Sequence, residues 1–314
     1  MTRAFLFPGQ GSQKPGMGKD LADAFAPARE VFEEVDDALS QKLSRLMREG
    51  PEADLTLTEN AQPAIMALSL AIVRVLEKEM GLDIAKQARL VAGHSLGEYS
   101  ALAASGAFTL GDTARLLKTR GQAMQSAVPV GEGGMTALIG ADIEQAEAVA
   151  KEAAEAGGVC VVANDNAPGQ VVISGTLDAL ARASEIAKAK GIKRALPLAV
   201  SAPFHSPLMQ PAADRMAEEL ARVDIRPLAV PVLANVTAKE AADPDHVRRL
   251  LVEQVTSRVR WRESILALKG LGVATTVEFG GSKVLTGMVK RIEPELAMIT
   301  LDTPADLEAL AKVL

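Results

Sequence analysis

Ser95 sits in the stretch GHSLGEY (Gly93–Tyr99), between two glycines. The apolar run Leu90, Val91 and Ala92 precedes it, and Leu96, Tyr99 and Ala103 follow at helical spacing. A sharp turn from strand to helix leaves no room for a Cβ at Gly93 or Gly97 and lifts the serine between them. Its hydroxyl would then stand at a helix N-terminus, where free backbone N–H groups favour developing negative charge. That is the geometry of acyl transfer through a serine ester. The same pentapeptide also fits a chance GxSxG in which Ser95 merely caps the helix.

A serine nucleophile needs a base, and the chain has three histidines. His94 adjoins Ser95 and would point elsewhere if the serine occupies the tip of the turn. His246, in ADPDHVRRL, reads as the exposed first turn of a surface helix. His205 remains, held between Pro203 and Pro207, either as the base or as a packed loop residue. No acidic residue follows at a telling spacing, so a backbone carbonyl would have to orient its ring. Arg120 is a further candidate. It lies on the apolar side of a helix expected over Leu110–Ser126, beside Leu116, Leu117 and Met124. A guanidinium there must snorkel, pair with a protein carboxylate or meet an anionic ligand.

The elements that would position these residues follow from pattern. The 314 residues, 48% hydrophobic, supply one large domain or two ordinary ones. No window is long and apolar enough to span a membrane, and no secretory signal opens the chain, so a cytoplasmic protein is expected. A net charge of −6 argues against a nucleic-acid binder, and the scattered histidines argue against a metal site. The single cysteine, Cys160, lies in the β-branched run GVCVVAN and reads as a buried strand residue.

Strands are expected at Ala4–Phe7, Leu90–Ala92, Pro231–Asn235, Val273–Phe279 and Met298–Leu301. Helices are expected at Leu21–Phe32, Ala38–Arg48, Pro63–Met80, Ala212–Arg222, Pro244–Gln254, Ser264–Leu271, Leu285–Ile292 and from Asp306. The loop PGQGSQKPGMG fails both phosphate-binding fingerprints: Lys14 stands where a third glycine belongs, and Met17 where a P-loop lysine belongs. Between Val128 and Val200 the order is strand, helix, strand, strand, helix, strand, with NDNAPG read as the turn between the middle strands. That order is ferredoxin-like. The expected fold is therefore α/β: a large three-layer lobe with a parallel-rich sheet (residues 1–127 and 199–314), interrupted by a small ferredoxin-like lobe (128–198).

Seven blocks carry a family resemblance: FPGQGSQ, TENAQPA, GHSLGEY, RGQAMQ, NDNAPGQVVISG, SAPFHSPLM and QVTSRVRW, in that order along most of the chain. Together they resemble malonyl-CoA:acyl carrier protein transacylases, relatives of the acyltransferase domains of fatty acid and polyketide synthases. The resemblance implies malonyl transfer from malonyl-CoA to the phosphopantetheine thiol of acyl carrier protein, by way of a malonyl ester on Ser95, with no permanently bound cofactor. It implies His205 as general acid and base, the backbone N–H groups of Gln10 and Leu96 as the oxyanion hole, and Arg120 as the group that binds the malonyl carboxylate. The carbonyl that orients the histidine falls on Gln254. Gln62, His94, Phe204 and Asn164 are further pocket candidates, Phe204 as a barrier to bulk at C2. A serine hydrolase and a non-catalytic carrier-protein binding module are the rival functions. Lys190, Lys193, Arg194, Arg258, Arg260, Lys283, Lys290 and Arg291 are candidate contacts for an acidic carrier protein.

Overall fold

Ten strands form two sheets in the computed structural model, which describes residues 2–200 and 202–313. They are β1 (Arg3–Phe7), β2 (Ala88–Gly93), β3 (Gly133–Ile139), β4 (Cys160–Ala167), β5 (Gln170–Thr176), β6 (Arg194–Pro197), β7 (Val232–Leu233), β8 (Glu240–Ala241), β9 (Thr275–Phe279) and β10 (Ala297–Leu301). The larger sheet has the order β10-β9-β1-β2-β7-β8 and is parallel apart from the short β7–β8 pair. Its strands alternate sides. Phe5, Phe7, Val91, Val232 and Val277 enter one core, while Ala4, Leu6, Leu90, Ala92 and Leu233 enter a second. A strand buried on both faces must carry an almost unbroken apolar run, which is why RAFLF and ARLVAG look as they do. Helices cover both faces and give three layers.

The second sheet is antiparallel, in the order β4-β5-β3-β6. The helices Ile143–Glu155 and Leu177–Ala189 pack on it through their own core of Val149, Ala153, Leu180 and Ala183. Strand order and connections are those of the ferredoxin-like arrangement. Main-chain bonds tie this sheet to the rest of the chain: Asp165 N–H donates to Val259 O at 3.0 Å and Val259 N–H to Ala163 O at 2.8 Å. No helix among the described residues is long and apolar enough to cross a membrane.

Several expected boundaries moved. The expected helix Leu21–Phe32 is two helices, Lys19–Ala24 and Ala26–Leu39, because Pro27 cannot continue a helix through its own turn and Phe25 goes extended. The expected helix Ala38–Arg48 is likewise broken, with Ser40 in the left-handed region and a new helix at Leu43–Glu49. The helix expected from Pro63 starts at Thr58, so the proline lies inside it and removes only one early hydrogen bond. NDNAPG is not all turn. Asn164, Asp165 and Asn166 belong to β4, which shifts register twice along this stretch while its buried side chains are held by other elements.

Candidate active site

The turn after β2 is as tight as its glycines require. A Cβ on Gly93 would lie 1.9 Å from the Gly97 carbonyl carbon, and one on Gly97 would lie 2.2 Å from the Phe7 carbonyl oxygen. Between them Ser95 adopts φ 54°, a left-handed conformation that a side-chain-bearing residue keeps only when its surroundings enforce it. Here the enforcing group is Asn235. Its Oδ1 accepts from Ser95 N–H at 2.7 Å, and its Nδ2 donates to Gly93 O at 2.7 Å, so one amide clamps both sides of the turn.

Ser95 Oγ lies 2.8 Å from His205 Nε2. The histidine also has a left-handed backbone, φ 56°, in the loop bracketed by Pro203 and Pro207. Its Nδ1 lies 2.9 Å from the Gln254 carbonyl oxygen. A carbonyl can only accept, so Nδ1 carries the proton and Nε2 is left to accept from the serine. Burial, and next the charge of Arg120, push the imidazole down to about 3, which keeps it neutral in the free protein. Of the block SAPFHSPLM that holds it, Ser201 lies outside the described residues.

Arg120 is fully buried in the helix Leu110–Ser126. Its Nη1 donates to Gln62 Oε1 at 2.9 Å, and its Nη2 to Gln254 Oε1 at 2.8 Å and to Ser95 Oγ at 3.2 Å. All three acceptors are neutral. Arg120 Nε has no hydrogen-bond partner among the described residues, and the Tyr99 ring lies beneath the guanidinium, 5.6 Å from its carbon. Of the alternatives open to a guanidinium on an apolar face, direct pairing with a protein carboxylate is not the one adopted. Gly121 beside it lets the helix approach closely, since a Cβ there would lie 2.6 Å from Glu59 Cα.

Gln10 is half-buried on the loop after β1, its side chain directed at Thr58 Oγ1. Neither its N–H nor that of Leu96 donates a hydrogen bond among the described residues. Both loops leave the C-terminal ends of adjacent parallel strands, where α/β sheets gather their sites. His94 turns away from Ser95 and meets Asn166 Oδ1 at 2.8 Å, with Trp261 against its ring. Asn164, one of the expected pocket residues, is buried on β4 and pairs its backbone with Val259. Phe204 is packed into the larger core. His246 lies exposed in the first turn of the helix Pro244–Thr256.

Sequence reasoning missed three residues. Asn166 lies two residues beyond Asn164 on β4, where two register shifts break simple alternation and left no pattern to choose between them. Asn235 follows β7, and its place at the end of a parallel strand was the available signal. Glu98, buried beside Ser95, is the one charged residue in the short helix GEYSALAA. Among the described residues no group of histidine, cysteine and acidic side chains could hold a metal ion. Lys190, Arg258 and Arg260 are paired with Glu152, Glu147 and Glu263, and Arg291 with Pro168 O and Gln170. Lys193, Arg194, Lys283 and Lys290 are exposed.

A serine raised on a strand–helix turn and joined to a neutral imidazole is equipment for forming and breaking esters, and an α/β fold carrying it defines a serine acyl-transfer enzyme. The sequence matches the acyl transferase domain family over residues 4–292. The chain belongs to that family and, within it, to the malonyl CoA-acyl carrier protein transacylases. It is 45% identical to the transacylase of Bacillus subtilis (strain 168), over 99% of this chain and 96% of that protein. It is 44% identical to that of Escherichia coli (strain K12), over 98% and 97%. The acyl-carrier-protein-S-malonyltransferase from Bartonella henselae superposes with a TM-score of 0.97 at 54% identity, covering 100% of this chain and 99% of that one. A malonyl-transacylase solved in complex with its type II PKS acyl-carrier protein superposes with a TM-score of 0.96 at 41% identity, covering all of both chains.

Proposed function

We propose that this protein moves a malonyl group from malonyl-CoA to the phosphopantetheine thiol of acyl carrier protein through a malonyl ester on Ser95, supplying extender units for fatty acid synthesis. The observation that carries this reading is Arg120: a buried cation, held by neutral acceptors only, whose Nη2 lies 3.2 Å from the nucleophile's oxygen. A carboxylate two bonds from a thioester carbonyl fits that distance and offers what the guanidinium lacks. Acetyl, with no carboxylate, leaves the charge unanswered.

The reaction runs in two matched halves. Ser95 Oγ attacks the thioester carbonyl while His205 Nε2 takes the hydroxyl proton. The oxyanion forms opposite the N–H groups of Gln10 and Leu96. The C–S bond then breaks, and His205 returns the proton to the departing coenzyme A thiol. In the second half the carrier's thiol gives its proton to His205, attacks the serine ester and leaves with the malonyl group as Ser95 regains a proton. Donor and product are both thioesters, so the overall transfer is nearly balanced in free energy and one site serves both directions.

The base strengthens when it is needed. Arg120's charge is one of the two main causes that weaken the imidazole, and a bound carboxylate offsets that charge. Coenzyme A thioester and phosphopantetheine arm are substrates, and the reading calls for no resident cofactor. Residues 128–198 act as a separate lobe that reaches the turn through the contact of Asn166 with His94. We place the protein in the cytoplasm, where both substrates would be met.

Incubation with radiolabelled malonyl-CoA tests the reading. Label that stays on the protein, is absent in Ser95→Ala and passes to added carrier protein supports it. Release of free malonate without transfer would identify a hydrolase, and absence of label a binding module.

A further inference from the structure

Glu98 has no part in the steps above, yet it is buried at 1% exposure within the active-site network. Its Oε2 accepts from Gln254 Nε2 at 2.6 Å and from Asn235 N–H at 3.2 Å. Gln254 Oε1 in turn accepts from Arg120 Nη2 at 2.8 Å. One primary amide therefore stands between a buried carboxylate and a buried guanidinium. The same glutamine supplies the carbonyl for His205, and the same asparagine clamps the turn that carries Ser95.

We infer that Glu98 is a positioning residue for malonyl transfer: through the Gln254 side chain it is the counter-charge of Arg120, and it limits how strongly Arg120 holds the malonyl carboxylate. This rests on the reading that Arg120 receives that carboxylate. A buried guanidinium needs an anion to offset its lost hydration, but an anion in direct contact would fill the substrate's place. An anion one amide away does the first without the second. It also limits affinity, as an enzyme that must hand the malonyl group to a carrier requires.

The carboxylate can change charge in the working range. Burial pushes Glu98 up to about 7, against the lowering effects of Gln254, the Asn235 N–H and Arg120. Of the elements packed against its helix, the one holding Arg120 brings the charge that bears on it; β1, β2, β7 and the helix Thr58–Met80 bring none. The phenol of Tyr99, next in its own helix, is pushed up to about 12 by burial and stays neutral. Above about pH 7 the ionised Glu98 offsets part of Arg120's charge, and below it the protonated acid leaves that charge to the substrate. Malonyl binding, which adds an anion, favours protonated Glu98, so affinity for malonyl falls as pH rises while affinity for acetyl does not.

Loading of Ser95 from malonyl-CoA and acetyl-CoA between about pH 6 and pH 8.5, in the parent, Glu98→Gln and Glu98→Ala, tests this. The parent's malonyl KM should rise with pH relative to its acetyl KM. Glu98→Gln keeps an acceptor for Gln254 but not the charge. At pH 8 it should show a malonyl KM about fivefold lower, flat with pH, and an acetyl KM within about twofold of the parent. Glu98→Ala, which removes the acceptor shared by Gln254 Nε2 and the Asn235 N–H, should lower kcat for both donors. A folded Glu98→Gln that keeps the parent's malonyl-to-acetyl KM ratio and its pH course overturns the inference. If that variant does not fold, a flat ratio in the parent overturns it equally. A parent that never forms malonyl-Ser95 would instead overturn the functional reading beneath it.

Discussion

Arg120 and Arg262 are satisfied in opposite ways. Arg262, about a quarter exposed, spreads its Nε and Nη2 over both carboxylate oxygens of Asp165 at 2.9–3.0 Å. Asp165 lies on β4 and is almost wholly buried, so this pair helps pin the small sheet to the helix Trp261–Gly270. Arg120 is the more buried of the two and has the weaker partners, two amide oxygens and a hydroxyl. Their pKa values move apart accordingly: the bond to Asp165 raises that of Arg262 above its ordinary value, while burial lowers that of Arg120. A guanidinium closed by a protein carboxylate ties two elements together. One left with neutral acceptors is a receptor, held ready at a cost in stability.

The comparison breaks first, and most visibly, at Arg120→Met. Loading from malonyl-CoA should fall roughly a hundredfold or more, while loading from acetyl-CoA persists. The melting temperature should fall at pH 8, where Glu98 loses its counter-charge and Gln62 and Gln254 lose a donor, and fall less at pH 6, where Glu98 is protonated. Single-turnover loading with both donors, alongside thermal unfolding, reads both effects. A variant that still prefers malonyl at the parental rate would remove Arg120 from the substrate site.

Arg262→Met should do the reverse. It strands the Asp165 carboxylate and should cost about 2–3 kcal/mol of stability, less than for a fully enclosed pair because Arg262 reaches solvent. The preference for malonyl over acetyl should hold. Denaturant unfolding measures the first and competition between the two donors the second.

A smaller effect appears in pH. With His205 pushed down to about 3, the parent's loading rate should show no acid limb near the ordinary histidine value of about 6.5. Arg120→Met removes one of the two main causes of that depression, so the limb for acetyl loading should move up toward neutrality. Stability should follow the same linkage. Below about 6.5 the unfolded chain binds a proton that the folded His205 refuses down to about 3, so His205 erodes stability as pH falls through that window and costs nothing above it.

The smallest change is expected at Cys160, on the same strand as Asp165. Burial pushes its thiol up to about 11, which leaves no reactive thiolate at neutral pH. Cys160→Ala should leave malonyl loading unaltered and shift stability by about 1 kcal/mol at most. It thereby separates a general disturbance of β4 from the specific loss of the Arg262–Asp165 pair.

Much of this was legible before any coordinates. The turn around Ser95 is a local object, so its glycines and flanking runs announce it. The helix Leu110–Ser126 was bounded correctly because its apolar stripe and its start after Thr109 agree; that threonine caps it by accepting from Asp112 N–H. Boundaries failed where a local breaker acted against a continuous apolar pattern, as at Phe25 and Ser40, or where distant groups held a polar stretch in a strand, as at Asn164–Asn166. Glu98 and Asn235 carried weak signals, a lone charge in an apolar helix and a place at a strand end, but their partners lie more than 130 residues away and no local pattern joins them.

By itself the sequence determined which chemistries were available and where the chain must turn, since residue type and spacing over a few positions control backbone path and reactivity. It also carried the family resemblance, and with it the expected role of each motif. Only the tertiary structure decided which groups meet. Ser95 and His205 lie 110 positions apart, and Arg120 and Gln254 are 134 apart. No local pattern records such separations. The segments on either side of the inserted lobe pack together and bring them within hydrogen-bond reach, and burial then sets the charge each one carries.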